Sequence, residues 1–249
     1  MLATATAKKI SFCLTILMSL FAAVDVQQSI AQERVQKAKK IPPVLAPIED
    51  VEGLPRVLLI GDSISMGYTL PVRELLKGKA NVHRPAINCG PTTLGKTSID
   101  KWLGDGKWDV IHFNWGLHDL KYVGKDGKTL EDLKAPESRP QVSLQDYERN
   151  LIELVERLKQ TGAHLVWRNT TPVPEGSRGR VAKDAELYNV VAAKVMQQNS
   201  IQIHDMYSFV KPRMQELMLP DGNVHFTAEG SDVLAQEVAN VVLQSLSPK

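Results

Sequence analysis

The chain has 249 residues, 43% of them hydrophobic and 23% charged, a composition typical of one folded domain and not of a disordered chain. The formal net charge is +2, and the one dense basic run is VQKAKK at residues 35–40. Neither a nucleic acid nor an anionic membrane surface is therefore indicated as a partner.

The first 31 residues have the pattern of a secretory signal peptide. Lys8 and Lys9 precede the apolar run ISFCLTILMSLFAAV, and Ser29 and Ala31 are small residues of the kind that a signal peptidase selects. The alternative is an uncleaved membrane anchor, but the apolar core of about 14 residues is shorter than the ~20 that span a bilayer. We therefore predict export, either periplasmic or secreted, with no stable membrane insertion after cleavage.

Residues 32–53 are rich in Lys, Glu and Pro, which predicts a linker or an extended lead-in to a domain at residues 54–249. Cleavage after Ala31 would remove Cys13 and leave Cys89 as the only cysteine. No intramolecular disulfide is then possible, so the domain must rely on its hydrophobic core.

From residue 56 onward, short β-branched runs alternate with helical patterns. The predicted strands are RVLLIG, NVHRPAI, WDVIHFN, AHLVWRN and IQIHDM. Helices are predicted near Leu70 to Lys77, Thr97 to Leu103, Lys183 to Gln198 and Thr227 to Leu246. This alternation predicts an α/β fold, a three-layer α/β/α sandwich with a central parallel sheet of five strands.

The clearest helix begins after Ser143 and ends before Gly162. Ser143 and Asp146 form a capping box. Six residues recur on one apolar face: Leu144, Tyr147, Leu151, Leu154, Val155 and Leu158. We expect this helix to pack on the sheet.

The segments that follow the strands should meet at one edge of the sheet, where open α/β sheets bind ligands. In chain order they read GDSIS, NCGPTTLGKTS, NWGLHDL, NTTPVPEG and, before the last helix, PDGNVHFT. Ser63 could act as a nucleophile if a base removed its proton, and His225 has the side chain suited to that task. The alternative for Ser63 is a simple helix cap.

Four of these five segments resemble, in the same order, the signature blocks of the SGNH hydrolase superfamily, also called GDSL esterases and lipases. The resemblance runs from about residue 56 to residue 246. It implies a flavodoxin-like fold and a catalytic Ser63 activated by His225. It also implies that Gly95 precedes a helix and points its amide into an oxyanion hole.

Two blocks depart from the family pattern. GLHD matches at Gly116 and Asp119, but His118 stands where the family has its oxyanion-hole asparagine. In DGNVH, Asp221 lies four residues before His225 instead of three, and Asn223 lies two before it. Either Asp221 still orients the imidazole as the catalytic acid, or a backbone carbonyl does so.

The predicted oxyanion hole has three donors: the amide of Ser63, Gly95 and the side chain of His118. A neutral histidine donates from only one ring nitrogen, and Asp119 could select that nitrogen. A protonated His118 would donate more strongly and would give activity an acid-side pH dependence. Asp62 is predicted to be a structural hydrogen-bond partner.

Other chemistries are disfavoured. No HxH or HExxH pattern supports a metal site that includes His112, and no cofactor is needed. The second residue after Ser63 is Ser65, so the nucleophile elbow Gly-x-Ser-x-Gly of α/β-hydrolases is not present.

The predicted substrate is a small-molecule or carbohydrate ester carrying a short acyl group such as acetyl. Four tryptophans lie near the predicted loops and could stack on sugars or pack in the core: Trp102, Trp108, Trp115 and Trp167. A lysophospholipase or thioesterase, and a non-hydrolytic relative that only binds an acylated glycan, remain open.

Overall fold

The computed structural model describes residues 41–247. The predicted signal peptide and residues 32–40 of the predicted linker lie outside the described residues. Within them, five parallel strands form one sheet in the order β2-β1-β3-β6-β7. These strands are β1 (Arg56–Ile60), β2 (Asn81–His83), β3 (Val110–Phe113), β6 (His164–Arg168) and β7 (Gln202–His204). All five predicted strands are confirmed.

Helices cover both faces of this sheet. They are α1 (Ser63–Leu75), α2 (Thr92–Leu103), α3 (Leu144–Lys159), α4 (Asp184–Gln198), α5 (Met206–Val210), α6 (Met214–Leu217) and α7 (Ala228–Leu246). Helix α1 packs against α7, while α3 packs between α2 and α4. The predicted α/β/α sandwich is therefore confirmed.

The central strands are largely apolar because both of their faces are covered. Every residue of β3 is buried, as are the last four of β1. Parallel pairing places Ile60 beside Phe113 and Phe113 beside Trp167, so these three strands end at the same edge. The loops that bear the predicted site residues therefore begin side by side.

Two helices begin earlier than predicted. Helix α1 begins at Ser63 and not near Leu70, and it continues through Gly67 and Pro71, two poor helix formers that hide its start in the sequence. Helix α2 begins at Thr92 and not at Thr97. By contrast, α3 begins at the predicted cap, where the Ser143 hydroxyl accepts a hydrogen bond from the Asp146 amide.

An antiparallel hairpin after β3 was not predicted. It pairs β4 (Tyr122–Val123) with β5 (Arg139–Pro140), and each of these strands is too short to give a periodic signal. The hairpin lies directly after the GLHD segment. It therefore helps to shape one side of the region where the strand ends meet.

The described part of the lead-in is bonded to the domain. The Asn81 side chain accepts a hydrogen bond from the Val51 amide and donates one back to the Val51 carbonyl, at 2.9 and 3.0 Å. Arg73 donates to the Pro43 and Ala46 carbonyls. Among the described helices, none combines the length and apolar character needed to cross a membrane.

Candidate active site

Ser63 and His225 meet at the carboxyl edge of the sheet, although 162 residues separate them in the chain. The Ser63 Oγ lies 2.9 Å from Nε2 of His225. Ser63 is the first residue of α1, directly after β1, and His225 lies three residues before α7. Because α1 and α7 pack against each other, they hold the hydroxyl and the imidazole within hydrogen-bond reach.

The side chain that caps α1 belongs to Asp62, not to Ser63. Its Oδ1 accepts a hydrogen bond from the Ile64 amide at 3.0 Å. The hydroxyl of Ser63 is therefore not used as a cap and is free to contact His225. The Ser63 amide is in the first turn, where backbone N–H groups have no acceptor within the helix, so it can donate to an oxyanion.

A buried arginine holds the backbone around Ser63. Arg84 follows β2, and its guanidinium donates to the Gly61 carbonyl and to the hydroxyls of Ser65 and Thr69. These bonds join the end of β1, the first turns of α1 and the β2 loop. The sequence analysis did not identify this arginine, because a single arginine after a strand has no local pattern to distinguish it.

The imidazole of His225 is oriented by Asn223. The Asn223 Oδ1 accepts hydrogen bonds from the backbone amide and from Nδ1 of His225, at 3.0 and 2.9 Å. The backbone amide can only donate, so the amide oxygen of Asn223 must face the ring and Nδ1 must carry the proton. Nε2 is then unprotonated and can accept the proton of Ser63, as a general base requires.

The group that orients His225 is neither of the two expected from the sequence, Asp221 or a backbone carbonyl. Among the described residues, the Nδ1 of His225 has a side-chain amide as its partner, and not the Asp221 carboxylate or a backbone carbonyl. Asp221 is exposed, has φ of +60°, and lines a cavity of about 1040 Å³ beside the His225 loop. It belongs to the turn, because aspartate tolerates this backbone conformation.

The prediction for Gly95 is wrong. Gly95 lies inside α2, and its amide donates to the Pro91 carbonyl at 3.2 Å, so it is not free for an oxyanion. A Cβ at this position would lie 2.9 Å from Trp115, which explains the glycine by packing. The glycine before the helix is Gly90, whose amide donates to the Asn88 side chain.

His118 is partly buried, and Asp62 and His225 both influence its pKa. Burial lowers the pKa of His118, and the charges of Lys121, Arg180 and His225 lower it further, while the Asp62 carboxylate acts in the opposite direction. The lowered pKa favours a neutral His118 at pH 7. It would then donate from a single ring nitrogen, not as the imidazolium considered from the sequence.

Asp119 and Gly116 form the frame beneath His118. The Asp119 Oδ1 accepts hydrogen bonds from the amide and hydroxyl of Thr92, at 2.9 and 2.5 Å, and so caps α2 from a distant loop. Burial raises the Asp119 pKa to about 7. Gly116 has φ of +145°, and a Cβ there would collide with the Thr170 hydroxyl. Both residues therefore position the loop.

The tryptophans do not form a sugar platform. Trp108, Trp115 and Trp167 are buried in the core, and Trp102 packs against the same core. This observation favours the core-packing interpretation.

His112 and His204 form a buried pair, with 3.1 Å between Nε2 of His112 and Nδ1 of His204. In residues 41–247, no group of three His, Cys, Asp or Glu side chains is placed to hold a metal ion.

The comparisons with known proteins identify a family for the chain. The model of the GDSL-like lipase/acylhydrolase family matches residues 59–233. No functionally curated protein matches the chain.

Solved structures resemble the chain in fold. A lipase/acylhydrolase from Enterococcus faecalis has a TM-score of 0.63 and 18% identity, covering 79% of this chain and 99% of its own. An acetylxylan esterase from Geobacillus stearothermophilus, solved as a catalytic mutant, has a TM-score of 0.60 and 17% identity, covering 81% and 98%. The family model spans more than half of the chain, which therefore belongs to the GDSL-like lipase/acylhydrolase family.

Proposed function

We propose that this protein is an exported serine esterase that removes a short acyl group, such as acetyl, from a carbohydrate. The observation that carries the esterase assignment is the contact of 2.9 Å between the Ser63 hydroxyl and Nε2 of His225, with Nδ1 bonded to Asn223. Export rests on the sequence pattern of residues 1–31.

The proposed mechanism has two steps. His225 removes the proton of Ser63, whose oxygen attacks the ester carbonyl, and the protonated imidazole then donates that proton to the departing alcohol. In the second step His225 takes a proton from water, the hydroxide attacks the acyl-enzyme, and Ser63 regains its proton. The Ser63 amide and a neutral His118 are the donors that stabilise the negative oxygen in each step.

The polar surroundings of the site support a small acyl group on a polar alcohol. Asp62, Arg180 and Lys121 all influence the pKa of His118, so charged groups lie near the proposed oxyanion donor. A long acyl chain would have to lie among these groups, which is unfavourable. Two of the structural neighbours are acetylxylan esterases, which agrees with the proposal at the level of the shared fold.

The test is hydrolysis of 4-nitrophenyl esters of increasing chain length, combined with labelling by a fluorophosphonate. We expect acetate to be the preferred ester and the label to be found on Ser63 by mass spectrometry. Ser63→Ala should abolish both signals, while the exposed Ser208→Ala should retain them. Preference for long esters would indicate a lysophospholipase or thioesterase. Absence of both turnover and labelling in the wild type would favour a binding protein.

A further inference from the structure

Among residues 41–247, Arg180 has no ion-pair partner, and it contacts the loop that bears His118. Its Nε donates to the Leu117 carbonyl at 3.4 Å, next to His118 in the chain. No carboxylate of the described residues lies within ion-pair distance of its guanidinium, and the two terminal nitrogens make no hydrogen bond to the described protein. The guanidinium therefore has two N–H-bearing nitrogens available to a ligand.

The segment that bears Arg180 is held between the two loops of the site. On one side, the Gly179 carbonyl accepts a hydrogen bond from the Tyr122 amide at 2.8 Å. On the other, the Ser177 hydroxyl donates to the Gly222 carbonyl at 2.6 Å, in the loop that leads to His225. A Cβ on Gly179 would lie 2.9 Å from Leu130, so this segment fits closely beneath the hairpin. Arg180 is thus pre-positioned.

Arg180 shares the charge of a nearby carboxylate with a second arginine. Asp62 is the carboxylate that acts on Arg180, and it acts on the buried Arg84 as well. Lys121 is a further cation, close enough that Arg180 lowers its pKa. The acidic neighbour of Lys121 is Asp126. This side chain is exposed and accepts hydrogen bonds from a backbone amide and a hydroxyl in the turn that follows it. Asp62 is therefore shared between two arginines and is not in ion-pair contact with Arg180.

Acidic side chains also line a cavity that Arg180 borders. Glu131, Asp132 and Glu175 line a cavity of about 590 Å³ together with Arg178 and Arg180. None of these three carboxylates forms an ion pair with Arg180 among the described residues. These carboxylates therefore leave the terminal nitrogens of Arg180 without a hydrogen bond.

We propose that Arg180 binds a carboxylate of the substrate, so that the preferred substrate is an O-acylated acidic sugar. The two terminal nitrogens of a guanidinium match the two oxygens of a carboxylate, and such charge-assisted pairs are among the stronger hydrogen bonds in proteins. Lys121 adds favourable charge without a directional contact. This inference rests on the proposed esterase function and specifies the substrate class of the same site.

The test compares two sugars that differ only in charge. One is the O-acetylated methyl glucuronoside and the other is its uncharged glucuronamide, with each positional acetyl isomer assayed separately. We expect the wild type to show a kcat/KM at least about tenfold higher on the carboxylate for at least one isomer. Added salt should reduce this preference.

Variants assign the preference to one side chain. Arg180→Gln should bring the ratio of the two kcat/KM values close to one, while Arg180→Lys should retain part of the preference. Arg178→Gln is the matched control, because Arg178 is exposed and lies two residues away in the same segment. Thermal unfolding midpoints show whether each variant is folded.

The outcomes separate this inference from the esterase proposal. Turnover of 4-nitrophenyl acetate and labelling of Ser63, with equal or no turnover of the two sugars, would overturn the role of Arg180 and leave the esterase intact. An equal loss on both sugars in folded Arg180→Gln would also overturn it. No turnover and no labelling in the wild type would overturn both proposals.

Discussion

The two halves of the candidate active site are built differently. Ser63 stands on a buried frame, because Asp62 caps its helix and Arg84 joins the surrounding backbone. His225 stands on an exposed loop, where its imidazole is bonded to Ser63 and Asn223. The nucleophile half is therefore held by many buried contacts and the base half by a few exposed ones.

This difference separates stability from catalysis. Changes in the nucleophile half should alter the free energy of unfolding, since they leave buried polar groups without partners. Changes in the base half should alter turnover with little effect on stability, since the loop is exposed. Substitutions in each half can test this separation.

The largest effect is expected where the two halves meet. Ser63→Ala and His225→Ala should each lower kcat for ester hydrolysis by about 10⁴-fold or more, because neither group acts without the other. The double variant should lose no more than either single variant. Steady-state kinetics test this, with His164→Gln at the far end of β6 as the control. Two independent, multiplying losses would contradict the pairing.

Within the base half, Asn223 should matter more than Asp221. Asn223→Ala should lower kcat/KM by about 10–100-fold, because the imidazole loses the partner that orients it. Asn223→Asp should retain activity and move the acid limb of the pH–rate profile upward, because a carboxylate stabilises the imidazolium.

The matched control is Asp221→Asn, which tolerates the same backbone conformation. It should change kcat/KM by less than about threefold, a change of under ~1 kcal/mol in the barrier. A larger loss there than in Asn223→Ala would return the orienting role to Asp221.

Asp119, which caps α2, should make the stability of the domain sensitive to pH. Burial raises its pKa from 3.8 to about 7, so the folded state binds its proton more tightly than the unfolded state does. Its contribution to stability is therefore complete below pH ~4 and is lost as the pH rises toward 7. Asp119→Asn keeps an acceptor for Thr92 but cannot ionise.

Denaturant unfolding at several pH values tests this prediction. Between pH 4 and 7, the wild type should lose about 3 kcal/mol relative to Asp119→Asn. Parallel stability curves for the two proteins would show that Asp119 has an ordinary pKa.

The smallest effect is expected at the cap of α1. Asp62→Ala should cost about 1 kcal/mol, because the Ile64 amide loses its acceptor. The thermal midpoint should then fall by about 2–4 °C for a domain of this size. Asp62→Asn, which can still accept that hydrogen bond, should fall less. The two variants would be equally destabilised if the carboxylate acted through charge alone.

The amino-acid sequence by itself determined the features that depend on local pattern. The five short β-branched runs were sufficient to predict the strands, and the Ser143–Asp146 box was sufficient to predict the start of α3. Ser63 and His225 were identified in the same way, since each lies in a short motif next to a predicted helix. Alternation and capping arise within a few residues, so they can be read along the chain.

Only the tertiary structure decided which polar groups are free to act. The Gly95 amide is taken by Pro91 because α2 begins earlier than its periodicity indicates, and that early start is capped by Asp119, 27 residues away. Trp115 and Trp167 are buried, although their positions near loops had left sugar stacking open. These outcomes depend on partners that are distant in the chain.

The partner of His225 in the base half also depends on the path of the backbone. Spacing alone left the partner of His225 undecided, because a turn of unknown geometry separates Asp221 from the imidazole. The left-handed conformation of Asp221 turns the chain so that Asn223 reaches Nδ1. Motif spacing thus indicated where the candidate site lies, while the backbone path and long-range packing decided which atoms meet.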